Sequence, residues 1–275
     1  MRITKHRACL KWAGGKKKLV PEIQRCLPKR GINRLIEPFV GGGSVCLNTN
    51  YESYLLNDMN ADLVGFYQAL KSDISRYIDA TSDMFTPEHN SAESYYALRD
   101  EFNHCSEPFR RACLFLYLNR HGFNGLCRYN SKGGYNVPFG RYKKPYYPEH
   151  ELNQMSAKLQ SAQLMQGDFA DVFAQAQEGD VIYCDPPYTP LTVTAHFTAY
   201  AGNSFSHSEQ MRLVDCAKRA QTNGITTVIS NHDISETRQL YAEATRIKRL
   251  QVHRSISRLA QGRVKVRELL AIYSA

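Results

Sequence analysis

Short apolar runs recur along this chain of 275 residues, each about a strand long and each closed by an acid or by turn residues. Between them, apolar residues fall at helical spacing. Arg34 to Glu37 reads as a strand running into Gly41-Gly42-Gly43, and Tyr54 to Leu56 as a second, closed by Asn57-Asp58. After Pro148 the alternation resumes, with Glu151 to Gln163 helical, Leu164 to Gln166 strand-like and Val181 to Cys184 a buried strand. Ser206-His207-Ser208-Glu209 has the form of a capping box that opens a helix running to about Thr222. Ile225 to Ser230 is a β-branched strand, Glu236 to Ala244 a helix, and Ile247 to Arg254 and Val266 to Tyr273 two late strands. This alternation predicts an α/β fold with a doubly wound, mostly parallel sheet.

From Ala61 to His121 the pattern is helical: Leu63, Phe66, Tyr67 and Leu70 repeat on one face, as do Tyr95, Leu98 and Phe102. Pro87 and Pro108 punctuate the run. Residues 122–148 are rich in Gly, Asn, Pro and Tyr, and Gly133-Gly134 offers the turn of a β-hairpin over about 122–142. Residues 61–148 therefore read as a helical insertion, with 1–60 and 149–275 forming the sheet domain.

Charge narrows the partner. The formal net charge is +9, and 23 of the 35 Lys and Arg residues lie in three acid-free windows, 1–18, 108–148 and 246–267. In the middle window ten aromatics interleave with eight cations. Blocks of one sign on an otherwise balanced chain predict a polyanionic partner, most plausibly nucleic acid. The longest apolar stretches are about five residues, far short of the roughly 20 that cross a bilayer. The start of the chain carries no apolar targeting segment, and the eight cysteines are scattered without a C-x-x-C pair. Those features predict a cytoplasmic protein with reduced thiols and no metal.

Two motifs carry chemistry. Phe39-x-Gly41-x-Gly43 follows a strand, where glycines let backbone approach a ligand and the helix start expected next favours polar groups. A dinucleotide fingerprint would need a third glycine where Cys46 stands, so a smaller adenosyl cofactor suits it better. Asp58, closing the next strand, is placed to accept from ribose hydroxyls. Ala13-Gly14-Gly15-Lys16 fails as a phosphate loop, since Leu10 replaces its first glycine and Lys17 its Ser or Thr. The more specific motif is Asp185-Pro186-Pro187-Tyr188 after the buried strand. Two prolines stiffen the turn and leave carbonyl acceptors beside a carboxylate and an aromatic ring. Such a set binds a planar group carrying an NH2, with acceptors for its hydrogens and a ring for its face.

Phe39-x-Gly41-x-Gly43 followed far downstream by Asp185-Pro186-Pro187-Tyr188 resembles the amino-methylating DNA methyltransferases. More closely, the chain is similar to the DNA adenine methylases of the Dam type. Lys11 to Lys16, Leu116 to Arg120, Asn124 to Asn130, Val137 to Pro145 and Ser230 to Asp233 support the likeness along nearly the whole chain. The resemblance implies the S-adenosylmethionine-dependent methyltransferase fold, that cofactor, and methylation of adenine N6 within GATC in duplex DNA by a monomer. It also implies that Trp12, Lys16, Glu37, Phe39, Asp58 and Asp168 line the cofactor pocket together with Gly41, Gly43 and Asp185. Lys11 is expected at the base pair that opens the site, and Leu126, Arg128 and Pro138 where the rest is read. Arg120, Phe123, Asn124, Asn130, Arg141, Tyr142, Lys143 and Lys144 complete the set expected to face DNA. The chain departs from close relatives at Phe123, where they carry Tyr, so an inserting ring would lose its hydroxyl. Residues 189–205 are expected to form a mobile loop over a flipped base. Methylation of cytosine N4 or of RNA adenine, and DNA binding without catalysis, stay open as alternatives at this point.

Overall fold

The computed structural model describes residues 6–28, 30–188, 205–253 and 265–274. Its strands are β1 (Arg34–Glu37), β2 (Ser53–Asp58), β3 (Ala162–Gln166), β4 (Asp180–Cys184), β5 (Thr226–His232), β6 (Arg246–His253) and β7 (Lys265–Tyr273). They form one sheet in the order β3-β2-β1-β4-β5-β7-β6. β1 pairs in parallel with β2 and with β4, and β4 with β5. β7 enters antiparallel between β5 and β6. The predicted α/β fold with a mostly parallel sheet is what the chain adopts. Strand order reverses between β1 and β4, and the carboxyl ends of strands at such a switch point open a crevice for ligands.

By its internal contacts the chain divides into two compact units. The first comprises Met1–Lys17, Val40–Asn50 and Asn57–Gly167. Its helical run is cut where polar side chains take over orphan backbone amides. Asn60 caps α2 (Ala61–Ser72), Asp73 caps α3 (Ile74–Ser82), Ser91 caps α4 (Ala92–His104) and Glu107 caps α5 (Pro108–His121). The last ten residues of α5, Ala112 to His121, are all buried, so this helix is enclosed around its circumference and forms the centre of the unit. Phe66 and Phe102 pack against its Phe115, and Tyr77 packs edge-on against Phe66. The Asp62 carboxylate binds Arg111 through both oxygens, at 2.5 and 3.1 Å, and accepts from Tyr129 Oη, which ties α2 to α5 and to the segment beyond.

That segment departs from the expected hairpin. Instead of a continuous ladder it has two isolated antiparallel bridges, Gly122 to Phe139 and Tyr129 to Tyr135. The turn is closed by backbone bonds from the Asn130 amide to the Gly134 carbonyl at 2.8 Å and from the Gly133 amide to the Asn130 carbonyl at 3.0 Å. The Asn130 side chain reinforces it by accepting from the Lys132 and Gly134 amides. Asn124 and Arg141 are the non-glycine residues with positive φ among those described, and both lie here. Backbone held in such a conformation collects at functional segments.

The second unit comprises Lys18–Phe39, Tyr51–Leu56 and Asp168–Ala275. It holds α1 (Val20–Cys26), α7 (Phe169–Phe173), α8 (His207–Thr222) and α9 (Ser235–Leu240), while α6 (Glu149–Leu159) belongs to the first. Arg34 grips the buried Asp180 at 2.6 and 2.9 Å, locking the starts of β1 and β4 together. Ser206 caps α8 through the Glu209 amide as its sequence predicts. α9 ends at Leu240 rather than Ala244, and β3 takes Ala162 and Gln163 from the predicted helix.

His121 supplies a stability prediction. It is fully buried, its Nδ1 meets the Tyr117 carbonyl at 3.0 Å, and its ring stacks on Tyr117 and packs on Phe85. Burial pushes its pKa down to about 4, with Lys11 and Arg120 acting in the same direction. The unfolded chain therefore binds a proton that the folded chain refuses. This contribution is complete above about pH 6.5 and is lost as pH falls toward 4, by up to about 1.4 kcal/mol per unit. Denaturant midpoints between pH 7 and 4.5 should show that slope in the wild type and a shallower one in His121→Phe, which keeps the ring packing. Equal slopes would remove His121 as the cause.

Candidate active site

In the second unit, β1 and β4 deliver two motifs to the same sheet edge. Ile36 registers with Ile182, so Glu37-Pro38-Phe39 and Asp185-Pro186-Pro187-Tyr188 leave adjacent strands at the switch point. Glu37 is buried. Phe39 packs against Phe169 and edge-on against Phe205, each at 5.5 Å between centroids. Asp168 caps α7 through the Ala170 amide, and its other oxygen pairs with Arg212, whose guanidinium lies over the Phe169 ring.

The Asp185 carboxylate accepts from Ser230 Oγ at 2.9 Å. Ser230 in turn accepts from the Tyr183 hydroxyl at 3.2 Å and lies 3.0 Å from that of Tyr188. Tyr188 donates to Glu268 at 3.2 Å, and its ring packs edge-on against His232. Burial, with the Asp185 and Glu268 charges, holds the Tyr188 hydroxyl far above the normal phenol range, so it stays protonated. The Gln210 amide donates to the Pro187 carbonyl at 3.1 Å, and among the described residues no donor reaches that of Pro186. A carboxylate and a backbone acceptor thus stand on consecutive residues, next to an aromatic ring.

In the first unit, the glycine turn is built around Trp12 and Asp58. Gly41 has φ +48°, and a Cβ there would lie 2.8 Å from the Trp12 indole nitrogen, so no side chain fits. Asp58 accepts from the Gly41 and Asn60 amides at 3.0 Å each, and Tyr67 donates to the Gly41 carbonyl at 2.6 Å. Gly43 continues the turn by donating to the Val40 carbonyl. Burial raises the Asp58 pKa, while the amides of Asn60 and Gly41 pull it back. Lys16 is buried and donates to the Gly14 carbonyl. The helix expected after Gly43 is only a 3-10 turn, Cys46–Asn48. Asn48 and Thr49 side chains bond back to the Ser44 and Val45 carbonyls and end it, so no helix dipole acts at this turn.

These residues fit an adenosyl cofactor. The Asp58 carboxylate accepts the Gly41 amide at one oxygen and the Asn60 amide at the other, and its four lone-pair sites leave room for a hydroxyl donor. Within this unit the Trp12 indole lies against Gly41 and supplies an aromatic face.

The first unit also holds the expected base-reading residues. Asn119, buried in α5, clamps Lys11 by accepting from its amide at 2.8 Å and donating to its carbonyl at 2.7 Å. The Lys11 ammonium donates to the Arg120 carbonyl and sits 3.8 Å from the Tyr142 ring centroid. Burial, with Arg120 and Arg7, lowers its pKa to about 8. Gly125, at φ +62°, is required where it stands, because a Cβ would meet that of Lys11 at 2.2 Å. Phe123 is 47% exposed, while Asn124, Asn130, Arg141, Lys143 and Lys144 are also exposed. Leu126 is half-buried, and Pro138 is exposed. Arg128 donates from Nε to Asn136 Oδ1 at 2.7 Å and from Nη2 to the Asn136 carbonyl at 3.2 Å. Arg120 is 2% exposed and donates from Nε to the Tyr146 carbonyl, so its guanidinium supports the Lys11 environment from below the surface. The expected loop, 189–205, lies outside the described residues except for Phe205.

Sequence reasoning did not single out Ser230 as a contact of Asp185, nor Glu268, Asn119 and Tyr67. Ser230 stands within a stretch that matched the family, which was a signal. Glu268 has no local pattern, because it reaches the site only through its pairing with His232 across β5 and β7.

The sheet order and an acid-Pro-Pro-aromatic turn at its switch point are those of an S-adenosylmethionine-dependent methyltransferase. The D12 class N6 adenine-specific DNA methyltransferase family matches residues 12–256. The chain is 52% identical over 269 residues to the DNA adenine methylase of Salmonella typhi, covering 98% of this chain and 96% of that one. Against the DNA adenine methylase of Vibrio cholerae it is 52% identical over 271 residues, covering 98% and 97%. For that of Escherichia coli the values are 51% over 269 residues, 98% and 96%. The chain belongs to the D12 class of N6 adenine-specific DNA methyltransferases. It uses S-adenosylmethionine to methylate adenine N6 in DNA, and this specificity disfavours the cytosine, RNA and non-catalytic alternatives.

Proposed function

We propose that this enzyme methylates the adenine of GATC in duplex DNA after turning that base out of the stack. The observation that carries the chemistry is the Asp185 carboxylate, anchored by Ser230, beside the Pro186 carbonyl at the end of a buried strand. An adenine N6 inside the duplex is out of reach of such a site, so flipping is required. The amine lone pair is delocalised into the ring. Accepting both amine hydrogens, at Asp185 and at the Pro186 carbonyl, localises that pair on nitrogen. The same fixed acceptors stabilise the positive charge that develops there. Tyr188 stacks on the base and holds the nitrogen in line. S-adenosylmethionine, when bound, supplies an electrophilic methyl on a sulfonium. Trp12, Lys16, Glu37, Phe39, Gly41, Gly43, Asp58 and Asp168 hold it in this reading.

Residues 61–148 serve as the target-recognition part, and 1–60 with 149–275 as the catalytic part, of a cytoplasmic monomer. Among the described residues no helix is long and apolar enough to cross a membrane. Lys11, Leu126, Arg128 and Pro138 read bases, Phe123 inserts its exposed ring into the stack, and Arg120 acts by positioning Lys11. Asn124, Asn130, Arg141, Tyr142, Lys143 and Lys144 engage the backbone. Transfer of labelled methyl to duplexes that differ only at GATC tests this assignment. Label should appear as N6-methyladenosine after digestion to nucleosides, and equal transfer to all duplexes rejects the sequence.

Lys143 and Lys144 follow Tyr142, and Asn90 holds the Tyr142 and Lys143 carbonyls at 2.8 and 3.3 Å. Alanine at either lysine should weaken cognate and non-cognate binding alike and lower the log–log salt slope by roughly one. A changed sequence preference at an unchanged slope would contradict a phosphate role.

A further inference from the structure

Behind Asp185, three hydroxyls link two carboxylates. Four oxygen pairs lie within hydrogen-bond distance: Tyr183 with Ser230 at 3.2 Å, Ser230 with Asp185 at 2.9 Å, Ser230 with Tyr188 at 3.0 Å, and Tyr188 with Glu268 at 3.2 Å. With both carboxylates ionised, three hydroxyl hydrogens serve these four contacts, since Tyr183, Ser230 and Tyr188 each carry one. One added proton completes the set in either of two ways. Placed on Asp185, it is donated to Ser230, which turns its own hydrogen to Tyr188, and Tyr188 donates to Glu268. Placed on Glu268, the same hydrogens point the other way and Ser230 donates to Asp185. Ser230 meets its limit of one donor and two acceptors in the first arrangement. Ser230 is fully buried and Glu268 is 5% exposed, so water competes little for these contacts.

We propose that Asp185, Ser230, Tyr188 and Glu268 form a chain that takes up the proton released by the methylated amine and carries it to Glu268. This rests on Asp185 as the acceptor of the amine. As the adenine nitrogen bonds to the methyl, the methyl–sulfur bond breaks and its electron pair stays on sulfur. Positive charge builds on the nitrogen while it still carries two hydrogens. Within the same step one hydrogen leaves as a proton to the Asp185 carboxylate, and its bonding pair returns to nitrogen, giving the neutral methylated amine. The hydroxyl hydrogens shift one place each in that same movement, and Glu268 ends protonated with Asp185 ionised again. Tyr188 is never ionised in this sequence. The His232 ring packs edge-on against that of Tyr188, at 4.6 Å between centroids.

Single-turnover methyl transfer by the full-length enzyme, at saturating S-adenosylmethionine and duplex DNA and in mixtures of H2O and D2O, tests the chain. In the wild type the rate should fall along a curve as deuterium increases, because several hydrogens move together. Tyr188→Phe keeps the ring that stacks on the base, and Glu268→Gln keeps shape and size. Each should lower the rate by on the order of 10²-fold, the lower end of what a positioned proton acceptor contributes. Each should also straighten the curve, with duplex and cofactor affinities held near wild type. A straight wild-type dependence overturns the chain without recourse to any variant. So do both variants within twofold of the wild-type rate while Asp185→Ala is inactive, an outcome that leaves Asp185 as the amine acceptor. An active Asp185→Ala removes both readings.

Discussion

Asp185→Ala is expected to lower methyl transfer by at least about 10²–10³-fold, the cost of one lost preorganised partner of the transition state, with duplex affinity within twofold. The two effects separate because the groups sit on different elements. Asp185 leaves β4 at the switch point, while the basic, aromatic-rich stretch 108–148 belongs to another part of the chain. Asp185 is also the charged member of the acceptor pair. Its loss removes the attraction that grows as positive charge develops on the amine, which a backbone carbonyl alone replaces poorly. Asp185→Asn makes the sharper comparison. Its amide fills the same space but has only one acceptor oxygen, so it should fall between alanine and wild type. The check is single-turnover transfer for the three proteins beside equilibrium duplex binding. Retention of a tenth of wild-type turnover by the alanine variant would sink the assignment.

The second large effect concerns Arg128. Its guanidinium has five N–H donors, and Asn136 takes one from Nε and one from Nη2. The remaining three lie on Nη1 and Nη2, the edge that matches guanine O6 and N7 in the major groove. Asn136 therefore fixes the plane of the fork and leaves its reading edge available. Arg128→Ala should lower kcat/KM on the cognate duplex by about 5- to 150-fold, from about 1–3 kcal/mol of discrimination. Duplexes already altered at the base pair it reads should lose little. Asn136→Ala should show the same selectivity at smaller amplitude, since the fork survives but swings. The measurement is kcat/KM on GATC and each single-base variant at one salt concentration. Uniform loss across the panel would mean a phosphate contact and leave the methyltransferase function untouched.

Sequence by itself determined the elements whose signal is local. Val181 to Cys184 is a strand because four consecutive apolar residues meet two prolines that cannot continue it. Asn60, Asp73, Ser91 and Glu107 start helices because their side chains reach amides two or three residues on, an interaction set by spacing alone. The Asp185 motif could be read for the same reason, since its acceptors and ring are consecutive. Tertiary structure alone decided which distant groups those residues meet. Glu268 reaches Tyr188 only because β7 runs antiparallel to β5 in a register that sets it opposite His232. Asn119 holds Lys11 across 108 residues of chain. Arg120 has the composition of a DNA contact yet is buried, because α5 is enclosed on every side. Glycine placement misled in one respect: the turn at Gly41 to Gly43 is as tight as predicted, but no α-helix follows it. There Asn48 and Thr49 compete for the carbonyls that a helix would need. Local spacing fixes hydrogen bonds within one turn of chain, whereas the partners of a buried charge depend on strand order and register, which no short window contains.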